Sequence, residues 1–262
     1  MNISLKGKKA LVSASTRGLG KAIAVQLAAS GARVTLLARN EEKLKAVVAE
    51  LPAPEGQDHS FLEVDFGDFE TFKTIISGYF KAHEADILVN NTQGPSGGSV
   101  MDQDAGGYQK AFETLFQTVV FLTSAALPGM KKNGYGRIIN ISSLSIREPI
   151  PHLALSNVIR PAVAAWAKSL SFEVAPYGIT VNNILTGLFD TERINDLYSG
   201  RAAQSGMTLD DYKDQMARDV PARRFGKPEE YGHLVVFLAS EQAAYITGTN
   251  LPIDGGLTRG NH

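Results

Sequence analysis

The stretch that most constrains the fold is residues 9–20, which read KALVSASTRGLG. Ala10, Leu11 and Val12 form a short apolar run of the kind that makes a buried strand. Ser13, Ala14, Ser15 and Thr16 follow, then Arg17-Gly18-Leu19-Gly20, then an amphipathic segment with Ile23, Leu27 and Ala28 on one face. Strand, small-residue turn and helix make the phosphate-binding start of a dinucleotide fold. Glycines let the backbone approach a pyrophosphate, and the helix N-terminus offers free N–H groups and a partial positive charge. A plain strand–helix turn wants the same residues, so the motif gains its weight from the chain that follows.

Further strands are expected at residues 33–38, 60–64, 87–89, 136–141, 179–184 and 250–253. Between them lie helical patterns at 41–51, 69–83, 108–130, 162–174 and 229–239. Strands and helices alternate throughout, without linker or internal repeat. This predicts a single α/β domain of Rossmann type, a doubly wound parallel sheet of about seven strands with helices on both faces. Residues 190–224 are long, polar and only partly helical in pattern, which marks them as a candidate substrate lid.

Composition limits the partners. A length of 262 residues with 44 % hydrophobic content suits one large domain with a sizeable core. A net charge of −1 gives no reason to expect nucleic acid or an acidic membrane surface. The absence of cysteine excludes disulfides and thiolate chemistry. The first residues, MNISLKGKK, lack the apolar stretch of a signal peptide, and no apolar run reads as long enough to span a bilayer, so a cytoplasmic protein is expected. His59, His83, His152, His233 and His262 lack metal-ligand spacing, and no metal is expected.

The order of motifs resembles the short-chain dehydrogenase/reductase family, and within it the 3-oxoacyl-carrier-protein reductases. The resemblance covers nearly the whole chain: the glycine-rich turn, Asp65 after the third strand, Asn90-Asn91 after the fourth, Ser142-Ser143 after the fifth, and ITGTNLPIDGG at residues 246–256. It implies a nicotinamide cofactor, hydride transfer to or from a small-molecule carbonyl or alcohol, and a homotetramer packed through the helices at 108–130 and 162–174, with Phe116, Phe121 and Trp166 at outer positions. Cofactor contacts implied by the resemblance are Ser13, Ser15, Thr16, Arg17, Gly18, Leu19, Gly20, Arg39, Asp65, Phe66, Asn90, Asn91, Thr92, Arg160, Thr186, Gly187, Phe189 and Thr191. NAD-binding relatives carry an acidic residue at the end of the second strand to hold the ribose 2′-hydroxyl. Here that place holds Arg39, with Arg17 in the phosphate loop, and two cations suit the 2′-phosphate of NADP(H). The family's first loop glycine is Ala14, whose methyl group restricts the turn.

The catalytic set departs further. The family uses an Asn in the long helix, a Ser after the fifth strand and a Tyr-x-x-x-Lys on the next helix. Register places the Asn position 24 residues after Asn91, at Leu115; the Ser position at Ser143; the Tyr position 13 further, at Ser156; and the Lys position at Arg160. Only Ser143 is retained. A serine hydroxyl is a far weaker acid than a phenol, and arginine stays protonated where lysine can relay a proton. Arginine can still hold a ribose or a carboxylate through paired N–H donors. Pro161 biases Arg160 away from helical angles, so the helix is expected to start near Pro161 or to kink there. His152, four residues before Ser156, is a candidate substitute acid, against the plainer reading of a loop histidine. Three functional readings follow: a reductase working through Ser143, Ser156, Arg160 and water; a cofactor-binding protein without turnover, such as a sensor or partner subunit; and a non-redox enzyme on the same scaffold.

Overall fold

The computed structural model describes residues 3–260. Seven strands, β1 (Lys9–Ser13), β2 (Arg33–Ala38), β3 (Ser60–Glu63), β4 (Ile87–Asn90), β5 (Gly136–Ser143), β6 (Ile179–Thr186) and β7 (Asn250–Ile253), form one sheet in the order β3-β2-β1-β4-β5-β6-β7. Every pairing is parallel. The strands run as near-continuous apolar stretches because both faces of the sheet are covered. On one face Ala10, Val12, Val34 and Leu36 pack against α1 (Gly18–Ala29), α2 (Glu41–Glu50) and α9 (Pro228–Leu238). On the other, Leu11, Leu37, Leu88 and Ile138 pack against α3 (Phe69–Ala82), α5 (Thr118–Asn133) and α6 (Ala154–Val174). The fully enclosed Leu11 and Leu36 each contribute roughly 1.5–3 kcal/mol over an exposed position.

A ladder of amides ties the later strands together. Asn90 Nδ2 donates to Asn140 Oδ1, Asn140 to Asn183, and Asn183 to Asn250, each at 2.8 Å. These residues are register partners on β4, β5, β6 and β7. Such a row fixes register by hydrogen bonding as well as by packing.

Helix boundaries differ from the sequence pattern in three places. First, α6 begins at Ala154, well before Pro161, and runs through the proline. Asn157 braces the entry, accepting from Ile150 N–H and donating to Ile150 O at 3.1 and 2.9 Å. Leu155, Ile159 and Val163 bury their side chains, and that packing outweighs the one helix bond the ring removes. Second, the long helix at 105–133 comprises α4 (Ala105–Phe112), a π turn at Glu113–Gln117 and α5. By length and mean hydropathy of 1.2 this stretch is apolar enough to cross a membrane, contrary to the sequence expectation, but its inner face packs on the sheet core. Third, residues 190–224 are largely helical, as α7 (Glu192–Gln204) and α8 (Leu209–Ala217), with Lys213 of α8 folded back on Asp190 at the start of the segment at 2.7 Å. Phe121 does not face outward; it sits edge-on to Phe69 and Phe72 between α3 and α5.

Candidate active site

Strand order reverses between β1 and β4, and a parallel α/β sheet binds ligands outside the carboxyl ends of its strands at such a switch. The buried polar atoms point to the same end. Among the described residues, four buried side-chain atoms lack a hydrogen-bond partner, and three of them, Ser13 Oγ, Asn90 Oδ1 and Ser142 Oγ, stand at the carboxyl ends of β1, β4 and β5. Burying such groups unpaired is costly unless a ligand or water completes them. A concavity of about 610 Å³ at the opposite end, beside Lys9 and Arg33, holds none of the site residues.

The phosphate loop has the shape a dinucleotide needs. A Cβ on Gly20 would lie 2.2 Å from Ala14 O, so only glycine lets the helix start against the turn. Helix α1 has no side-chain cap and no acidic residue in its first turn, which leaves its N–H groups and dipole for an anion. Ala14 adopts φ +48°, the left-handed region, at an expected strain of about 1–2 kcal/mol. Ser15 Oγ donates to Leu37 O at 3.4 Å and Asn91 Nδ2 to Ala14 O at 3.4 Å, holding the loop between β2 and β4. Gly18 lies against Thr191, which caps α7. Thr16, Leu19 and Thr92 are half-buried around this turn, and Arg39 is exposed at the end of β2. Arg17 pairs with two carboxylates of α7, Glu192 at 3.8 Å and Asp196 at 3.6 Å. These residues fit a dinucleotide phosphate.

Other residues expected at the cofactor spend their side chains elsewhere. Asn90 also donates to Thr123 at 3.1 Å, so its amide serves the ladder. Phe66 turns its ring into the core beside Phe72, and Phe189 packs edge-on to Tyr231 at 5.1 Å. For Phe66 and Phe189 only the main chain remains for a ligand, while Asn90 keeps its unpaired Oδ1. Asp65 is exposed and accepts from Gly67 N–H at 2.8 Å. Thr186 Oγ1 meets the Tyr231 hydroxyl at 2.9 Å, and burial pushes that phenol's pKa upward. Gly187 is required by β7, since a Cβ there would lie 2.5 Å from Asp254 Cα.

At the end of β5, Ser143 Oγ accepts the Ser145 N–H at 3.1 Å. Ser156 is buried and its Oγ lies 3.2 Å from Ser145 Oγ. Ser145 is a polar member of the centre that sequence register did not single out; its spacing from Ser143 fits a capped turn and carries no other signal. Arg160, one helical turn beyond Ser156, donates from Nη1 to Ile141 O at 2.8 Å. The guanidinium therefore reaches β5 from within an unbroken helix, and Pro161 does not divert it. Arg160 is partly buried, and desolvation lowers its pKa to about 10, so it stays charged at neutral pH. Leu115 lies in the π turn, 3 % exposed, packed with Ala111, Leu155 and Ile159. His152 is exposed, with φ +60°, and its carbonyl takes the Gly98 N–H at 2.9 Å.

The comparisons bear on this geometry. The family model described as "Enoyl-(Acyl carrier protein) reductase" matches residues 13–258. Dehydrogenase/reductase SDR family member 4 of Sus scrofa is 34 % identical, over 96 % of this chain and 88 % of its own length. A 3-oxoacyl-[acyl-carrier-protein] reductase of Haemophilus influenzae is 34 % identical, over 97 % of this chain and 99 % of its own. The chain belongs to the short-chain dehydrogenase/reductase family. With that membership it is an NAD(P)-dependent oxidoreductase acting on CH–OH and C=O groups. Among solved structures, L-sorbose reductase from Gluconobacter frateurii, complexed with NADPH and L-sorbose, superposes with a TM-score of 0.93 at 30 % identity, covering 99 % of this chain and 100 % of that one. An actinorhodin polyketide ketoreductase with NADPH gives a TM-score of 0.87 at 29 % identity, covering 97 % of this chain and 98 % of that one. The orphaned serines, the bare start of α1 and the close turn at Gly20 are the features on this chain that suit the same cofactor class.

Proposed function

We propose that the protein is an NADPH-dependent reductase of a small carbonyl compound, or the matching alcohol dehydrogenase in reverse, with a rearranged acid/base set. The observation that carries this reading is Arg160: at the family's lysine position it is anchored to Ile141 O, two residues before Ser143, and keeps its charge. Ser143 accepts from a main-chain N–H, so its own proton is free to donate to the oxygen of a substrate carbonyl. Arg160 holds the nicotinamide ribose or the substrate through its remaining N–H donors. Ser156, buried and shared with Ser145, shapes the space and polarises Ser145 in place of protonating substrate. When bound, NADPH supplies the hydride; the proton on the product oxygen comes from water admitted to the cleft. Arg39 favours the 2′-phosphate, while Arg17 is partly neutralised by Glu192 and Asp196.

In the same reading α7 and α8 form the lid, latched to the phosphate loop through Arg17. The chain works in the cytoplasm as a homotetramer. Phe172 and Val158 on α6, 70 % and 51 % exposed, are apolar groups that such packing would cover. The test is NADPH consumption against a panel of aldehydes, ketones and oxo acids. Turnover of one class supports the reading. Tight NADPH binding without turnover on any class would favour a cofactor-binding protein instead.

A further inference from the structure

Arg193 belongs to none of the residue sets that the fold or the resemblance singles out, yet its guanidinium lies against the loop after β4, at the carboxyl end of the sheet. It sits in the first turn of α7, and its guanidinium leans on Gly94 in the loop after β4. A Cβ at Gly94 would lie 2.7 Å from Nη2 and 2.9 Å from Nη1, so the missing side chain is what admits the cation. That loop is fastened to the start of α6: Gly98 N–H donates to His152 O at 2.9 Å, and Ala154 N–H to Gly98 O at 3.2 Å. The same helix carries Ser156 and Arg160. Two arginines therefore stand at the carboxyl ends of the adjacent strands β4 and β5, Arg160 from α6 on Ile141 and Arg193 from α7 on Gly94.

Neither has a carboxylate partner among the described residues. Arg160 spends one of its N–H groups on Ile141 O. Arg193 is exposed overall, yet desolvation lowers its pKa, with Arg17 adding to the effect. The charge of Arg193 in turn contributes to the lowering at Arg160. Arg17, by contrast, has Glu192 and Asp196. Two cations held near each other without a counter-ion disfavour the empty site and favour one that contains an anion.

We propose that Arg160 and Arg193 together bind the carboxylate of the substrate, so that the compound reduced here is an oxo acid. This rests on the reductase reading above. In the forward direction the carbonyl carbon gains a hydride from bound NADPH and the carbonyl oxygen gains a proton. The products are a hydroxy acid and NADP⁺, and the carboxylate is unchanged. The competing anion is the cofactor's pyrophosphate. The bare N-terminus of α1 would serve that group, and Arg193 stands apart from it against Gly94, in the loop after β4.

The experiment has two arms. In the first, kcat/KM is measured on short 2-oxo and 3-oxo acids and on their methyl esters, for the parent, Arg193→Met and Arg193→Lys, with NADPH affinity determined in parallel by fluorescence. The parent should prefer acid over ester by roughly ten- to a hundredfold, the worth of a charge-assisted contact. Arg193→Met should collapse that ratio, Arg193→Lys should keep part of it, and NADPH affinity should change by less than about threefold. A ratio that survives Arg193→Met, with NADPH affinity lost instead, would assign Arg193 to the pyrophosphate and overturn the proposal. In the second arm, malonate and dimethyl malonate are titrated calorimetrically into NADPH-loaded protein. Malonate should bind more tightly, and only in the presence of Arg193. If malonate behaves this way while no oxo acid is reduced, the anion site stands and the reductase reading fails. If the two probes bind alike, the anion site fails.

Discussion

Arg137 and Arg160 serve opposite ends of the same strand, and the environments differ. Arg137, second residue of β5, has a side chain only 2 % exposed, and its charge is fully engaged. Nε donates to Ser240 O at 3.2 Å, Nη1 donates to Gly136 O and Gly178 O at 2.8 and 3.0 Å, and Glu241 stands 3.6 Å away. Its guanidinium also lies over the Tyr135 ring, 4.1 Å from the centroid. Arg160, near the carboxyl end, has one carbonyl, no carboxylate and a second cation within range. A buried charge that is saturated holds chain segments together, here β5, β6 and the turn after α9. A buried charge left short of partners destabilises the free protein and is useful only when something else arrives. The amino end of the sheet therefore has its cation saturated, whereas the carboxyl end keeps donors unspent, as the proposed ligand site requires.

Substitutions at the two ends should separate stability from activity. The largest effect expected is on rate at the carboxyl end. Ser143→Ala should lower kcat/KM by about 10²–10⁴-fold, with the melting temperature little changed, in steady-state kinetics beside a thermal melt. Ser156→Ala should cost roughly tenfold or less, because its hydroxyl is shared with Ser145. Next comes the amino end: Arg137→Met should destabilise the fold by about 3–5 kcal/mol in a denaturant titration, since it leaves the carbonyls of Gly136, Gly178 and Ser240 without their donor. The protein that remains folded should keep its kcat. Arg39→Asp should then shift the NADPH:NADH affinity ratio by roughly ten- to a hundredfold in titrations of both cofactors. Smallest is Ala14→Gly, which should raise stability by up to about 1 kcal/mol by relieving the left-handed φ.

The amino end and the sheet as a whole were legible from sequence because they rest on periodicity. Short runs of three to six residues marked the seven strands, and the alternation with helices marked them as parallel. The carboxyl end was legible only where a motif fixes backbone shape. Gly20 and Gly187 stand where close approach requires them, and Gly18 where φ is +54°. Pro161 misled, because a local stop signal was overridden by the packing of Leu155, Ile159 and Val163 and by the brace from Asn157. Asn90 and Phe66 follow the family's order of residues, yet the ladder claims the Asn90 Nδ2 and the core the Phe66 ring, which no spacing reveals. Arg193 was silent for the same reason: its role depends on a glycine a hundred residues away in the chain.

The contrast between the two ends is tested most directly by Arg160→Met, followed as melting temperature with and without NADPH and compared with Arg137→Met under the same conditions. The account predicts that Arg160→Met leaves the free protein as stable as the parent, within about 1 kcal/mol or higher, because it removes an under-partnered charge along with one hydrogen bond. It also predicts that the stabilisation by NADPH shrinks or disappears. If Arg160→Met instead melts as early as Arg137→Met and retains the full NADPH shift, Arg160 is a structural cation like its counterpart, and the carboxyl end is not the ligand site described.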